Sequence, residues 1–305
     1  MMPINICPIP YQGSKRLLAP KISQWIPEVT KCGRLIEPFA GSGAISLYAA
    51  HKEIANSFIL ADILEPLMGI WELIINSPEQ LVARYEELWI SQLEDPETTY
   101  YKIRDEYNAN NDPARLLYLI VRCVKNAVRF NNQGTFNQSP DKRRLGMKPD
   151  NMRQQVFLAH QLLRNKTKVI SGDYKDTLRM AKVDDVVYMD PPYQGTIGGS
   201  RRYVSQIEFD EFIGELRVLN RRGISFLLSF DGTCGTRRYG KMLPKDLGLF
   251  HLSLPAGRSS QATLLGRNEK TVESLYVSPV LYQRLSKQSV NDGPCQSNLA
   301  FGNDF

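Results

Sequence analysis

The sequence predicts an α/β protein, with a doubly wound, mainly parallel sheet and an inserted, mainly helical subdomain. Two observations carry this prediction. Five short apolar runs, each bounded by turn residues, recur along the 305-residue chain with helical patterns between several of them. The alternation stops over residues 64–165, where the pattern becomes helical and then polar. An insertion in one connection of the sheet accounts for both observations.

The five apolar runs are predicted to be buried parallel strands. They read GRLIEPF at 33–39, SFILAD at 57–62, KVISGD at 168–173, DVVYMD at 185–190 and GISFLLSF at 223–230. Helical patterns at 43–51 and 208–221 supply the β-α-β alternation that favours parallel pairing. Because ligands bind at the carboxyl ends of such strands, the residues that end each run are candidates for a functional site.

The insertion is predicted to hold helices and a basic loop. Apolar residues at three- and four-residue steps predict helices over 65–89 and 114–128. A polar segment with several glycines and prolines predicts a basic loop or hairpin at about 129–149. The expected units are a main domain at 1–63 and 166–285, the insertion at 64–165 and a flexible tail at 286–305.

Composition disfavours several classes of protein. The longest apolar stretch, ARLLYLIVRCV at 114–124, contains two arginines and is too short to span a bilayer, and the amino terminus lacks a signal-peptide pattern. We therefore expect no membrane contact and a cytoplasmic location. Five scattered cysteines and three histidines without ligand spacing predict neither a disulfide framework nor a metal site.

Charge is segregated within the insertion. Residues 64–112 carry eleven acidic and three basic side chains, a net of −8, whereas residues 115–168 carry twelve basic and two acidic ones, a net of +10. A solvated helix face usually mixes the two signs. The second block therefore favours a phosphate-contacting surface over an ordinary solvated one.

Two features near the first strands suit a nucleoside ligand. The loop EPFAGSG at 37–43 follows a strand and opens a helix, and Gly41 and Gly43 let the backbone approach a ligand closely. Such turns also occur for conformational reasons alone. Asp62 ends the second strand, where its carboxylate can accept both ribose hydroxyls or cap the following helix. The sequence favours the two interpretations of Asp62 about equally.

Two further aspartates end the third and fourth strands. Asp173 in SGDY can accept a hydrogen bond from an adenine amino group or cap a helix. Asp190 opens DPPY at 190–193, where the proline pair removes two backbone donors and fixes two φ angles. An ordinary turn explains this pair poorly, whereas rigidly presented acceptors at Asp190 and the Pro191 carbonyl explain it.

The DPPY segment suits chemistry on an exocyclic amino group. The lone pair of such a group is delocalised into its ring, so the nitrogen is a poor nucleophile. Hydrogen bonds from its two protons to Asp190 and the Pro191 carbonyl favour a pyramidal nitrogen, while Tyr193 stacks on the base. This chemistry requires neither a strong base nor a metal. The predicted catalytic residues are Asp190, Pro191, Pro192 and Tyr193.

In their order along the chain, these motifs resemble the Dam-type, α-class DNA adenine-N6 methyltransferases. YQGSKRLLAPKI at 11–22 is similar to that family's amino-terminal cofactor motif, and EPFAGSG to its D-P-F-x-G-S-G loop, with glutamate in place of the usual aspartate. LAD, SGDY and DPPY match its later motifs. The resemblance implies a Rossmann-like methyltransferase fold with S-adenosylmethionine as cofactor. The implied cofactor residues are Tyr11, Lys15, Glu37, Phe39, Gly41, Gly43, Asp62, Asp173 and Asp190.

Within the insertion, two segments resemble the family's target-recognition region. They are YYKIRDEYN at 100–108 and NAVRFNNQGTFNQSP at 126–140. Residues 227–232 and 256–278 resemble its later strands, although LLSFDG departs from the frequent S-N-S/T. The resemblance implies double-stranded DNA as partner. The candidate DNA-binding residues are Asn126, Arg129, Asn132, Phe136, Asn137, Arg143, Arg144 and Arg258.

The expected function is methyl transfer from S-adenosylmethionine to N6 of an adenine flipped out of duplex DNA, because a paired N6 is out of reach. By analogy we expect a restriction-modification role, with a cognate restriction endonuclease acting on the same site without direct contact. One alternative is an amino-methyltransferase acting on cytosine N4, RNA or protein glutamine, whose motifs more often begin with serine or asparagine. Another is a non-catalytic DNA-binding module, which the intact DPPY disfavours.

Overall fold

The part of the protein that the structure describes is built on an eight-stranded sheet with helices on both faces. The computed structural model describes residues 6–27, 33–131, 133–192, 207–234, 237–239, 241–258 and 270–291. The strands are β1 (Leu35–Glu37), β2 (Phe58–Asp62), β3 (Thr167–Ser171), β4 (Val186–Met189), β5 (Ser225–Cys234), β6 (Arg237–Tyr239), β7 (Phe250–Arg258) and β8 (Lys270–Val277).

The strand order is β3-β2-β1-β4-β5-β8-β7, and the short β6 pairs with the end of β5. Strands β1 to β5 pair in parallel, whereas β8 is antiparallel to both β5 and β7. The mainly parallel α/β sheet is therefore confirmed, with the five predicted strands as β1 to β5. The edge strand β3 is an exception to the predicted burial, because its residues are half-buried or exposed. The chain winds in opposite directions from β1 and β4, so a crevice opens between these strands beyond their carboxyl ends.

Both faces of the central sheet are buried, which explains why its strands read as continuous apolar runs. Leu35 and Val186 pack into the core on one face, whereas their neighbours Ile36 and Val187 pack into the core on the other. The antiparallel strands β7 and β8 carry serines, a lysine and a glutamate between apolar residues. Apolar runs alone therefore did not predict them.

Helices cover the two faces unequally. They are α1 (Ala19–Ile22), α2 (Ala44–His51), α3 (Glu65–Asn76), α4 (Pro78–Ser91), α5 (Pro96–Asn110), α6 (Pro113–Arg122), α7 (Pro149–Leu163), α8 (Tyr174–Arg179), α9 (Phe209–Arg221) and α10 (Pro279–Asn291). Helices α8 and α9 pack on one face, and the remaining helices share the core of the other. The predicted helices at 43–51 and 208–221 are confirmed as α2 and α9.

Helices α3 to α7 lie in the connection between β2 and β3. Each begins with a proline in its first turn, where the missing backbone donor is not needed and the fixed φ suits the helix. Asp95 and Asp112 also cap α5 and α6 by accepting the backbone N–H of Thr98 and Arg115. The apolar side chains of these helices belong to the same core as β1, β2 and α2. The insertion therefore shares its core with the sheet.

A hairpin follows helix α6. Phe130 and Phe136 form an antiparallel bridge, and the Asn131 side chain accepts the backbone N–H groups of Gln133 and Thr135 within the turn. Gly134 has a φ of +77°, which favours glycine there. A tight turn is thus present inside the segment predicted as a basic loop or hairpin.

Helix α10 extends to Asn291, so the first six residues of the predicted tail, 286–291, are helical. Residues 292–305 lie outside the described residues. In the described part of the chain, the helices all fall short of the length and apolar character needed to cross a bilayer. The same residues contain no group of three or more His, Cys, Asp or Glu side chains placed to hold a metal ion.

Candidate active site

A cavity of about 600 Å³ opens where the strand order reverses, beyond the carboxyl ends of β1, β2 and β4. Its lining includes most of the predicted site residues. They are Tyr11, Lys15, Glu37, Phe39, Gly41, Asp62, Asp173, Asp190, Pro191, Pro192 and Arg129. Tyr193 and Asn132 lie outside the described residues, as does the side chain of Arg258, whose backbone ends β7.

The glycine loop is held from three sides. Gly41 and Gly43 have φ angles of +49° and +57°, which favour glycine. The Gly41 N–H donates to Asp62, its carbonyl accepts the Trp71 indole N–H at 3.0 Å, and the Tyr11 ring lies beside it. A Cβ on Gly43 would lie 2.6 Å from the Trp71 ring. Gly43 thus packs against helix α3, and Gly41 is the loop glycine that lines the cavity.

Asp62 makes backbone contacts and also lines the cavity. One carboxylate oxygen accepts the N–H of Gly41 and the other the N–H of Leu64, both at 3.1 Å. Burial raises the pKa of the carboxyl group, and these backbone hydrogen bonds oppose that shift. Each carboxylate oxygen has a second lone pair, so Asp62 can hold the loop and still accept hydroxyl groups of a ligand.

Glu37, at the end of β1, is a buried acid in the cavity wall. Its carboxylate accepts the backbone N–H of Ser46 at 2.7 Å, which ties β1 to helix α2. Burial raises its pKa to about 7, with the negative charge of Asp190 as a lesser cause. The longer side chain that replaces the usual aspartate is therefore partly protonated at neutral pH.

This raised pKa predicts a pH-dependent stability. The folded protein binds the Glu37 proton more tightly than the unfolded chain does. The stabilisation that comes from this proton is therefore full below about pH 4.5 and is lost as the pH rises through about 7. Relative to Glu37→Gln, the wild type should lose up to about 3 kcal/mol of unfolding free energy across that window. Urea denaturation of both proteins from pH 4.5 to 8 measures this difference, and a constant difference would contradict the prediction.

Asp190 follows β4 directly and faces the cavity with Pro191 and Pro192. The ammonium of Lys15, from the amino-terminal motif, lies 3.0 Å from one oxygen of the Asp190 carboxylate. The Lys15 side chain is 7% exposed, so this ion pair is largely shielded from water. Two motifs distant in sequence, YQGSK and DPPY, therefore meet in one charged contact.

Asp173 fulfils the capping role that the sequence left open. It is the N-cap of α8 and accepts the backbone N–H of Lys175 at 2.8 Å. Its side chain is also 41% exposed and lines the cavity. Because a capping carboxylate retains free lone pairs, Asp173 can also accept a hydrogen bond from a ligand.

Two residues of the recognition-like segment lie close to the cavity. Arg129 lines it, and the Nε of this side chain is buried without a hydrogen-bond partner among the described residues. Asn126 contributes indirectly: its side chain donates to the Ile120 carbonyl at the end of α6, and its carbonyl accepts the N–H of Gln12 at 3.0 Å. The segment is thereby joined to the amino-terminal motif.

Phe136 and Asn137 have different surroundings although they are adjacent. The Phe136 ring is buried against Tyr107 and Phe130, and its backbone N–H and carbonyl both bond to the Asn108 side chain. This ring has no exposed face for DNA, so the predicted contact is replaced by an anchoring role for the hairpin. Asn137 is exposed at the surface.

Arg143 and Arg144 lie on an exposed loop organised by one buried acid. Their side chains are 83% and 59% exposed, and both pair with Asp141. The backbone N–H of Arg143 and the two arginine side chains lower the pKa of Asp141 to about 2. Beneath the loop, the buried Arg122 donates to the carbonyls of Asp141 and Arg144. A fixed scaffold thus presents two cations to solvent.

Several cavity residues were not predicted from the sequence. Glu208 and Glu211, at the start of α9, line the cavity beside Asp173, and Glu211 also pairs with Lys175. Acidic residues in the first turn of a helix are common because they favour the positive end of its dipole. The sequence therefore gave no signal that would separate these two from ordinary helix-terminal acids.

Comparison with known proteins agrees with this geometry. The family model described as D12 class N6 adenine-specific DNA methyltransferase matches residues 11–251, a span that includes every cavity motif above. The chain is 26% identical over 240 residues to the Type II methyltransferase M.MjaIII of Methanocaldococcus jannaschii, covering 72% of this chain and 82% of that protein.

Two bacterial relatives are similar at comparable levels. A DNA adenine methylase of Vibrio cholerae is 25% identical over 239 residues, covering 75% of this chain and 82% of its own length. The Retron Ec67 DNA adenine methylase of Escherichia coli is 28% identical over 200 residues, covering 62% of this chain and 64% of its own length. Since the family model spans most of the chain and the cavity holds its motifs, this protein belongs to the D12 class of N6 adenine-specific DNA methyltransferases.

Proposed function

We propose that the protein transfers the methyl group of S-adenosylmethionine to N6 of a specific adenine, flipped out of duplex DNA into the cavity. One observation carries this proposal. Asp190, Pro191 and Pro192 line the same cavity as Gly41 and Asp62, so acceptors for an amino group lie beside acceptors for a ribose. A methyl donor and an amino acceptor can therefore be held together in one enclosure.

The residues present fit S-adenosylmethionine. Asp62 offers lone pairs for the ribose hydroxyls, and Asp173 offers one for the adenine amino group. Gly41 lets the backbone approach the ligand closely. When bound, this cofactor supplies an electrophilic methyl group on a positively charged sulfur. The acids of the cavity wall, Asp173 and Asp190 among them, suit a cationic ligand.

Asp190 and the Pro191 carbonyl are the proposed acceptors for the target amino group. The two prolines fix the backbone there, so the acceptors need little reorganisation when the base enters. Asp190 would accept a hydrogen bond from one N6 proton while the nitrogen attacks the methyl carbon. The bond between sulfur and that carbon would break, the sulfur would leave as a neutral thioether, and the methylated nitrogen would release one proton to solvent. The ring of Tyr193 is proposed to cover the base. The remaining N6 proton donates to the Pro191 carbonyl.

The insertion at 64–165 is the proposed recognition element. Base flipping requires contacts that hold the duplex while the target leaves the stack. Arg143 and Arg144 are exposed cations suited to phosphates, whereas Arg129 and the hairpin at 130–136 lie close to the cavity. The hairpin is the proposed element that enters a groove, with Asn137 at its surface.

The proposal is tested by incubating the purified protein with labelled S-adenosylmethionine and duplex DNA, RNA or protein. Methylated adenine in duplex DNA is the expected product. Transfer to RNA or protein alone, or to cytosine N4, would contradict it. Sequencing methylated adenines in DNA from cells that express the protein identifies the recognised site.

A salt titration tests the basic loop. Replacing Arg143 or Arg144 by alanine should weaken DNA binding at low salt and lower the log–log salt slope by about one per side chain. Arg179→Ala is a matched control, because Arg179 is exposed and paired with an acid, Asp176, but lies on α8 at the other face of the sheet. Fluorescence anisotropy measures binding. Equal salt slopes for the wild type and all variants would mean that this loop does not contact DNA.

We also propose a restriction-modification role. Its support is analogy to the relative named as a Type II methyltransferase, whereas other relatives are named DNA adenine methylases. The partner would be a cognate restriction endonuclease that cleaves the same site without binding this protein, and a DNA substrate suits the predicted cytoplasmic location. Protection of expressed plasmid DNA from one endonuclease would identify this partner activity.

A further inference from the structure

One charged residue near the cavity was not singled out as a site residue from the sequence. Glu273 lies on β8, between β5 and β7, opposite Gly232 on one side and Leu254 on the other. Its side chain is 23% exposed. An acid on an interior strand loses much of its hydration and therefore requires a compensating partner.

That partner is the ammonium of Lys15. The Lys15 Nζ lies 3.1 Å from a Glu273 carboxylate oxygen and 3.0 Å from a carboxylate oxygen of Asp190. One largely buried cation therefore bridges two carboxylates, one from β8 and one from the end of β4. Lys15 lines the cavity, whereas Glu273 is not among the described lining residues.

The β5–β8 pairing contributes to this arrangement. The register shifts between Ser229 and Gly232, so β5 has an extra residue there relative to β8. A Cβ on Gly232 would lie 2.7 Å from the Val272 carbonyl, which means that the two backbones approach closely beside Glu273. Such irregularities re-aim side chains next to functional sites.

The bridge affects the acceptor that the target amino group needs. If Lys15 paired more strongly with Asp190, the ammonium would compete with N6 for the same oxygen atoms. The Glu273 carboxylate attracts the ammonium from a similar distance, although its contacting oxygen makes no hydrogen bond to the described residues, and it divides the charge of the ammonium between the two acids. Asp190 thereby keeps its position and retains acceptor capacity.

We propose that Glu273 is a positioning residue for methyl transfer, which holds the Lys15 ammonium so that Asp190 remains oriented and available to the target amino group. This proposal rests on the proposed function of Asp190. Glu273 touches neither substrate nor cofactor in it. Its effect on the reaction passes through Lys15.

The test is a double-mutant cycle on the rate of methyl transfer to duplex DNA in a single turnover. Glu273→Gln should lower this rate about tenfold, while DNA affinity stays within about twofold of the wild type. In a Lys15→Met background, the same substitution should change the rate less than about twofold, because the residue through which Glu273 acts is gone. Ser274→Ala, on the same strand, is the control and should retain the wild-type rate.

Glu273→Asp provides a second route if the amide variant does not fold. Its carboxylate is one methylene farther from Lys15, so the rate should fall in the wild-type background and stay constant with Lys15→Met. An unchanged rate for either Glu273 variant, or equal losses in both backgrounds, would overturn the positioning role. A wild type that does not methylate adenine in duplex DNA would instead overturn the proposed function, and this inference with it.

Discussion

Asp190→Ala should reduce methyl transfer by a factor on the order of 10³ or more while leaving DNA binding largely intact. The expected loss is large because the variant removes an acceptor from the atom whose charge changes during the reaction, in a partly shielded cavity. Stability should change little, since the Lys15 ammonium keeps Glu273 as a partner at 3.1 Å. Transfer of a labelled methyl group and fluorescence anisotropy with duplex DNA measure the two effects.

Asp190→Asn is the matched variant. It keeps the shape of the side chain and one carbonyl acceptor but removes the charge and introduces an NH₂ donor that faces the target amino group. We expect its activity to be closer to that of Asp190→Ala than to that of the wild type. Activity near the wild-type level in the alanine variant would show that another group accepts the hydrogen bond from N6.

Arg122→Met should lower the free energy of unfolding by about 3 kcal/mol and weaken DNA binding at low salt. The Arg122 side chain is buried and donates to the Gln92 side chain and to the carbonyls of Asp141 and Arg144. Methionine has similar length but no donors, so these buried acceptors lose their partner. The loop that carries Arg143 and Arg144 loses its support at the same time.

Arg115→Met is the control for this effect. Arg115 belongs to the same helix, but its guanidinium pairs with Glu106 near the surface, where such pairs contribute less than about 1 kcal/mol. Urea denaturation compares the two variants. A loss for Arg122→Met no larger than that for Arg115→Met would mean that the buried hydrogen bonds contribute little to stability.

The charge pattern of the insertion did not predict which charged side chains are available to DNA. The segregation of charge predicted that the basic block forms a phosphate-contacting surface. In the fold, side chains from the two blocks pair with each other, as Glu97 does with Lys142 and Glu86 with Arg153. Arg122 is buried altogether. The net charge of +10 therefore overstates the positive charge that the basic block offers to DNA, because Arg122 is buried and acids of the first block partly neutralise other cations.

For Phe136 and Glu273, too, the sequence did not predict the contacts that the side chain makes in the fold. The motif around Phe136 indicated a DNA contact, but the ring packs between Tyr107 and Phe130. Glu273 lies in the segment 256–278 that resembles the family's later strands but was not singled out as a site residue, yet its carboxylate lies beside the Lys15 ammonium. Both outcomes depend on packing between segments that are distant along the chain, which periodicity and motif spacing do not encode.

By itself the sequence determined the parallel sheet, the cavity at its carboxyl edge and the acidic residues that line that edge. Each of these follows from local pattern: a buried parallel strand requires a continuous apolar run, and the residue that ends it must lie at the edge where ligands bind. Asp62, Asp173 and Asp190 were placed in this way. The tertiary structure alone decided which charges pair, which ring is buried and that Lys15 bridges Asp190 and Glu273, because strand register and helix packing bring those side chains together.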